Sequence, residues 1–201
     1  TLSRTLVPKW YMHEWEGETK VEFPKEVTKG KSLYIAKAEG DTVLVAESED
    51  SQITYGQVVS RNEFGIEGGT FWSPSRDKLA FYRKDESKVT TFPLLDITSR
   101  TGSLVEIKYP MAGMDSENVQ LGVYDVATGT TVYMKFDEFG YDQYLTNISW
   151  TPQGDQILVQ VLDRSQKHTR LNVYDAQTGD FVKTLLTEDD EQYTEPLDPV
   201  W

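Results

Sequence analysis

Cysteine is absent from the 201 residues, and histidine occurs only at positions 13 and 168. Disulfides, thiolate nucleophiles and cysteine metal sites are therefore excluded together, and imidazole chemistry has only His13 and His168 to draw on. His13-Glu14 lacks a second histidine four residues on and is no metalloprotease motif, while His168 sits in the polar stretch Asp163-Arg164-Ser165-Gln166-Lys167. No apolar run approaches the roughly 18 residues of a membrane-spanning helix. The opening residues Thr1-Leu2-Ser3-Arg4 show no succession of basic, apolar and small residues, so any export signal is expected to have been removed or never present. Positive charge is also scarce: 20 Lys and Arg face 33 Asp and Glu, a formal charge of -13. That balance argues against nucleic acid or an anionic membrane as a partner. There is no phosphate-cradling glycine loop and no Gly-x-Ser-x-Gly elbow. No cofactor, no metal and no catalytic residue is expected within this chain.

Large rings, by contrast, are abundant. Eleven Tyr, 8 Phe and 5 Trp are too many for a disordered chain, and the length gives room for a core of ordinary depth. Apolar residues seldom recur at helical spacing for more than two turns. Short Val, Ile, Tyr and Thr runs bounded by Gly, Asp, Asn and Pro recur throughout, which reads as all-β.

The chain also resembles itself. Thr70-Phe71-Trp72-Ser73-Pro74-Ser75-Arg76-Asp77-Lys78-Leu79-Ala80-Phe81 is echoed by Ile148-Ser149-Trp150-Thr151-Pro152-Gln153-Gly154-Asp155-Gln156-Ile157-Leu158-Val159. In each copy Trp closes a strand, proline presets a turn, and an alternating apolar run follows. A second pair is Leu121-Gly122-Val123-Tyr124-Asp125 and Leu171-Asn172-Val173-Tyr174-Asp175, both running on to Thr-Gly. A Trp hairpin plus a Val-Tyr-Asp hairpin makes four antiparallel strands in roughly 50 residues, the period of a propeller blade. The expected layout is a partial blade at 31–60, a blade at 69–135 with an arm inserted at about 90–119, a blade at 145–186, and the start of a further segment at 187–201. The fold class is thus all-β, an arc of about two to three four-stranded blades from a larger ring. Trp72 and Trp150 hold equivalent repeat positions and are expected in equivalent core places.

The arm is a predicted hairpin. Phe92-Pro93-Leu94-Leu95-Asp96-Ile97 and Leu104-Val105-Glu106-Ile107-Lys108-Tyr109 flank the turn Thr98-Ser99-Arg100-Thr101-Gly102-Ser103. A lone two-stranded ribbon is marginal in water, so it needs either its own blade or a partner surface.

One succession is more specific than any single motif: Ser60-Arg61-Asn62-Glu63-Phe64-Gly65, the Trp72-Ser73-Pro74 hairpin, Tyr109-Pro110-Met111-Ala112-Gly113, and Leu121-Gly122-Val123-Tyr124-Asp125. Over about residues 31–187 it resembles the N-terminal β-propeller of the dipeptidyl peptidase IV family, and looks like a bacterial member. The resemblance implies that the propeller loop binds the free amine of a peptide substrate, with Glu63 at the matching position and Asn62 and Arg61 as secondary candidates. Family members typically carry two adjacent glutamates there. Asn62-Glu63 departs from that pattern, which leaves dipeptide or tripeptide release open. The resemblance further implies a catalytic α/β-hydrolase domain elsewhere in the parent chain, a homodimer contact through residues 90–119, and a periplasmic or extracellular location. Two alternatives stay open at this point: a non-enzymatic propeller that binds proteins, and a propeller from another hydrolase of the same clan.

Overall fold

A computed structural model describes residues 24–37 and 40–196. Trp10, Trp15, Trp201 and His13 lie outside these residues. In chain order the strands are β1 (Lys25–Lys29), β2 (Ser32–Ala36), β3 (Thr42–Ala46), β4 (Ile53–Tyr55), β5 (Thr70–Trp72), β6 (Lys78–Asp85), β7 (Thr91–Asp96) and β8 (Ser103–Lys108). They continue with β9 (Asn118–Asp125), β10 (Thr130–Tyr133), β11 (Gln143–Trp150), β12 (Gln156–Asp163), β13 (His168–Asp175) and β14 (Phe181–Asp189). All pairings are antiparallel.

Three sheets follow one another along the chain. The first has the order β1-β2-β3, the second β10-β9-β6 with both β4 and β5 on the far edge of β6, and the third β11-β12-β13-β14. The second and third are four-lane blades of the expected kind, so the chain is an arc of a β-propeller. β4, which the repeat placed with the 31–60 unit, pairs with β6 of the second sheet, while its Tyr55 N–H also donates to the Lys31 carbonyl at 3.0 Å.

Alternation explains the stacking. On β6, Leu79 and Phe81 face the first sheet and pack with Leu33, Ile35 and Tyr124. Ala80 and Tyr82 face the other way and share a core with Leu121, Val123, Leu145, Ile157, Val159 and Val161. The central blade is buried on both faces, which is why Leu79-Ala80-Phe81-Tyr82 reads as an uninterrupted apolar run instead of an alternating one. Each fully buried Leu, Ile, Val or Phe contributes about 1.5–3 kcal/mol of transfer free energy.

The two hairpin motifs repeat in atomic detail. Ser73 and Thr151 donate their hydroxyls to Asp77 and Asp155 at 2.8 and 2.7 Å. Arg76 and Gly154 occupy the same left-handed turn position, with φ of 55° and 69°. Hydrogen bonds from Ser75 lead the group that pulls the Asp77 carboxyl down to about 2, with Ser73 and Lys78 adding to it against a partial burial penalty. Asp125 and Asp175 each accept two backbone N–H groups across the Thr-Gly turns.

The tryptophans are equivalent, half-buried and tie blade to blade. Trp72 pairs with Leu79 and Trp150 with Ile157. The indole of Trp72 donates to Glu26 of the first sheet at 2.6 Å, and that of Trp150 donates to the Phe71 carbonyl of the preceding blade at 3.1 Å. The repeat therefore carries its own inter-blade fastener.

The arm is the two-stranded sheet β7–β8, with Pro93 opposite Glu106. It stands away from the blades and exposes Leu95, Ile97 and Leu104 at 67, 79 and 73%. Its base is held by Tyr109 N–H to the Thr90 carbonyl and by Lys108 Nζ to the Val89 carbonyl.

Candidate functional site

The loop that carries Glu63 leaves and re-enters the blade at one residue of β6. β4 pairs with residues 83–85 and β5 with residues 79–81, so they are two pieces of one lane. Between them Tyr82 serves both ends: Gly56 N–H donates to the Tyr82 carbonyl at 2.8 Å, and Tyr82 N–H donates to the Gly69 carbonyl at 3.0 Å. Residues 57–68 are squeezed out of the lane as a loop with a closed neck. A Cβ on Gly69 would lie 2.4 Å from the Gln57 carbonyl carbon, so the neck exists only because that residue has no side chain.

Two apolar residues pin the loop from below. Val59 and Ile66 are 1 and 3% exposed and belong to the core between the blades. Between them Ser60, Arg61 and Asn62 are all left-handed, Glu63 is extended, and Phe64 and Gly65 are left-handed again. For a residue with a Cβ this conformation costs about 1–2 kcal/mol, so the run persists only because its surroundings hold it.

Three parts of the molecule supply that hold. Within the loop, Asn62 N–H donates to the Val59 carbonyl and Ile66 N–H to the Glu63 carbonyl. From the next blade, the buried Thr146 hydroxyl donates to the Phe64 carbonyl at 2.6 Å, and the Tyr144 ring packs on Phe64 with centroids 4.5 Å apart. From the arm and its return, Glu117 accepts the Ser60 N–H, Arg61 Nη2 donates to the Lys108 carbonyl at 2.8 Å, and the Arg61 guanidinium lies 4.3 Å from the Tyr109 ring centre.

A cavity of about 400 Å³ opens beside this loop. Arg61 and Glu63 line it together with Glu117, Tyr144 and Arg164, whereas Asn62 does not. Glu63 itself is exposed. Burial pushes the Tyr144 phenol above its ordinary value; Arg164 pulls it back, while Asp142, Glu117 and Glu63 push it further up. Both glutamates are thus electrically close to the same hydroxyl. The two guanidiniums on the wall are committed elsewhere: Arg61 to the arm, and Arg164 to Asp142 at 3.3 Å and to the Met114 carbonyl at 3.1 Å.

Of the residues that line this cavity, Glu63 and Arg61 stand out in the sequence, whereas Glu117, Tyr144 and Arg164 do not. All three flank strand ends at the same end of the two blades: Glu117 just before β9, Tyr144 at the start of β11, Arg164 just after β12. Strand register would have placed them together once Asp85 was paired with Asn118 and Asp163 with Gln143.

The model of the family described as "Dipeptidyl peptidase IV (DPP IV) N-terminal region" matches residues 27–200. The chain belongs to this family. A Phaeosphaeria nodorum protein named as a dipeptidyl-aminopeptidase B is 28% identical over 181 residues, 80% of this chain and 20% of its own length. Dipeptidyl aminopeptidase B of Saccharomyces cerevisiae is 31% identical over 114 residues, 54% of this chain and 14% of its own. Among solved structures, a Bacteroides ovatus protein named as a dipeptidyl aminopeptidase IV superposes with a TM-score of 0.77 at 42% identity, covering 87% of this chain and 24% of that one. Porphyromonas gingivalis dipeptidyl peptidase 4, at 23% identity, shares the fold with a TM-score of 0.76 over 85% of this chain and 25% of its own. The chain matches between 14 and 25% of the length of these relatives. No helix among the described residues is long and apolar enough to cross a membrane.

Proposed function

We propose that this dipeptidyl peptidase IV N-terminal region is the substrate-holding propeller portion of a serine exopeptidase, and that Glu63 binds the free N-terminal amine of its peptide substrates. The observation that carries the reading is the loop. A chain that keeps Ser60, Arg61, Asn62 and Phe64 in a costly conformation, and braces them from the next blade and from the arm, presents one exposed carboxylate at a defined place on a cavity wall. Strain held in this way favours a functional display over a solvated loop.

An exposed ion pair contributes at most about 1 kcal/mol. The anchor therefore works when the seated peptide and the rest of the parent enzyme exclude water, where a charge-assisted contact contributes about 1.5–3 kcal/mol. Fixing the amine fixes the distance to the scissile bond, and orientation set in advance lowers the barrier as well as KM. The chemistry itself belongs to an α/β-hydrolase domain of the parent, and the propeller restricts which peptides reach it. The arm, with Leu95, Ile97 and Leu104 bared, serves as a contact between two copies, and the enzyme acts in the periplasm or outside the cell.

The test is Glu63→Gln in the full-length protein. Shape is kept and charge removed, so kcat/KM on free-amine peptides falls roughly ten- to hundredfold. N-acetylated peptides are poor substrates for both forms. Unchanged efficiency of the variant on free-amine peptides refutes the anchor.

A further inference from the structure

We infer that Glu117 is a second carboxylate for the same ammonium, reaching the cavity from a different part of the chain. The inference rests on the amine-holding reading above and adds to it a residue that neither the loop nor its repeats reveal. Glu117 and Glu63 line one cavity, and both act on the Tyr144 phenol. Glu63 arrives on the squeezed-out loop of the β4–β5 lane, and Glu117 on the return from the arm just before β9.

The stoichiometry of hydrogen bonding asks for two acceptors. An ammonium carries three N–H donors, and a single monodentate carboxylate leaves donors unmet once water is excluded. Asn62, beside Glu63 in sequence, is not on the cavity wall, so the neighbouring position does not supply the second acceptor. Glu117 does. One of its oxygens already accepts the Ser60 N–H, which holds the carboxylate in place. A carboxylate offers about four lone-pair sites, so capacity remains for the ligand. The four cations nearby have other partners: Arg164 is paired with Asp142, Arg61 donates to the Lys108 carbonyl and stacks on Tyr109, Lys84 pairs with Glu86, and Lys108 donates to the Val89 carbonyl.

A merely structural Glu117 would only hold the loop through Ser60, and two substitutions separate the roles. Glu117→Gln keeps an oxygen acceptor for the Ser60 N–H and removes the charge. Glu117→Ala removes both. In the full-length enzyme, with free-amine dipeptidyl substrates, Glu117→Gln is expected to lower kcat/KM by roughly tenfold with an unchanged melting temperature, the loss seen mainly in KM. A competitive inhibitor in which a hydrogen replaces the N-terminal amine is expected to bind wild type and Glu117→Gln equally, since it presents no ammonium.

If Glu117→Gln stays within twofold of wild type while Glu117→Ala loses both efficiency and melting temperature, Glu117 is a loop brace and the inference is wrong, whatever Glu63→Gln does. An equal loss of affinity for the amine-free inhibitor also overturns it. If instead Glu63→Gln is silent and Glu117→Gln is impaired only on ammonium-bearing ligands, the Glu63 anchor falls and Glu117 stands as a carboxylate that holds the amine.

Discussion

Replacing Gly69 with alanine tests whether the closed neck is what sets the Glu63 loop. The added methyl would sit 2.4, 2.5 and 2.6 Å from the carbonyl carbon, carbonyl oxygen and nitrogen of Gln57. These are backbone atoms, so no rotamer change relieves the clash; the two sides of the neck must part. Overpacking of this kind costs about 1–3 kcal/mol. Parting the neck also weakens the bonds that Gly56 and Gly69 make to Tyr82. For a chain of about this length each kcal/mol shifts the melting temperature by about 2–4 °C, so a fall of about 2–12 °C is expected. Gly68 provides the control. A Cβ there meets nothing within 4 Å and its φ is not in the left-handed region, so Gly68→Ala should leave melting within about 1 °C of wild type. In the full-length enzyme Gly69→Ala should also lower kcat/KM on free-amine peptides, because the displaced neck moves Glu63, while Gly68→Ala should not. Scanning fluorimetry and steady-state kinetics on the two variants suffice. Equal melting temperatures for them, or a stable Gly69→Ala enzyme with wild-type efficiency, would refute the claim that the neck positions the carboxylate.

Thr146→Val keeps the shape of a fully buried side chain but removes its bond to the Phe64 carbonyl; a loss of about 0.5–1.5 kcal/mol is expected, with faster hydrogen exchange at the Asn62 and Ile66 amides, and unchanged exchange there would mean the next blade does not brace the loop. Tyr82 is buried and donates to the Leu145 carbonyl at 2.7 Å, and burial pushes its phenol far above the ordinary value of about 10. Because the folded form holds this proton more tightly, its contribution is complete below about pH 10 and is lost as pH rises further, when the unfolded chain ionises first. Thermal melts should therefore fall above about pH 10, and Tyr82→Phe should flatten that decline while costing about 1 kcal/mol at neutral pH; an identical alkaline slope in the variant would contradict this.

Local chemistry made the blades legible. The Trp-Ser-Pro and Trp-Thr-Pro hairpins, the Val-Tyr-Asp turns and the apolar alternation are short-range patterns, and each hairpin formed where its turn residues placed it. The loop that carries Glu63 was marked too, through the succession of motifs around it. The assignment of β4 was not. Its three residues read as the close of the preceding unit, and only pairing with residues 83–85 of β6 showed that β4 and β5 are one lane interrupted by a loop. Glu117, Tyr144 and Arg164 were equally hidden, since each is an ordinary polar residue beside a strand end, and nothing in its neighbours marks it. What sequence by itself determined about this protein is the set of hairpins and their repeat, because turn geometry and period-two burial act over a few residues. Only the tertiary structure decided the cavity and its two carboxylates, because antiparallel register brings residues far apart in the chain to the same end of adjacent blades.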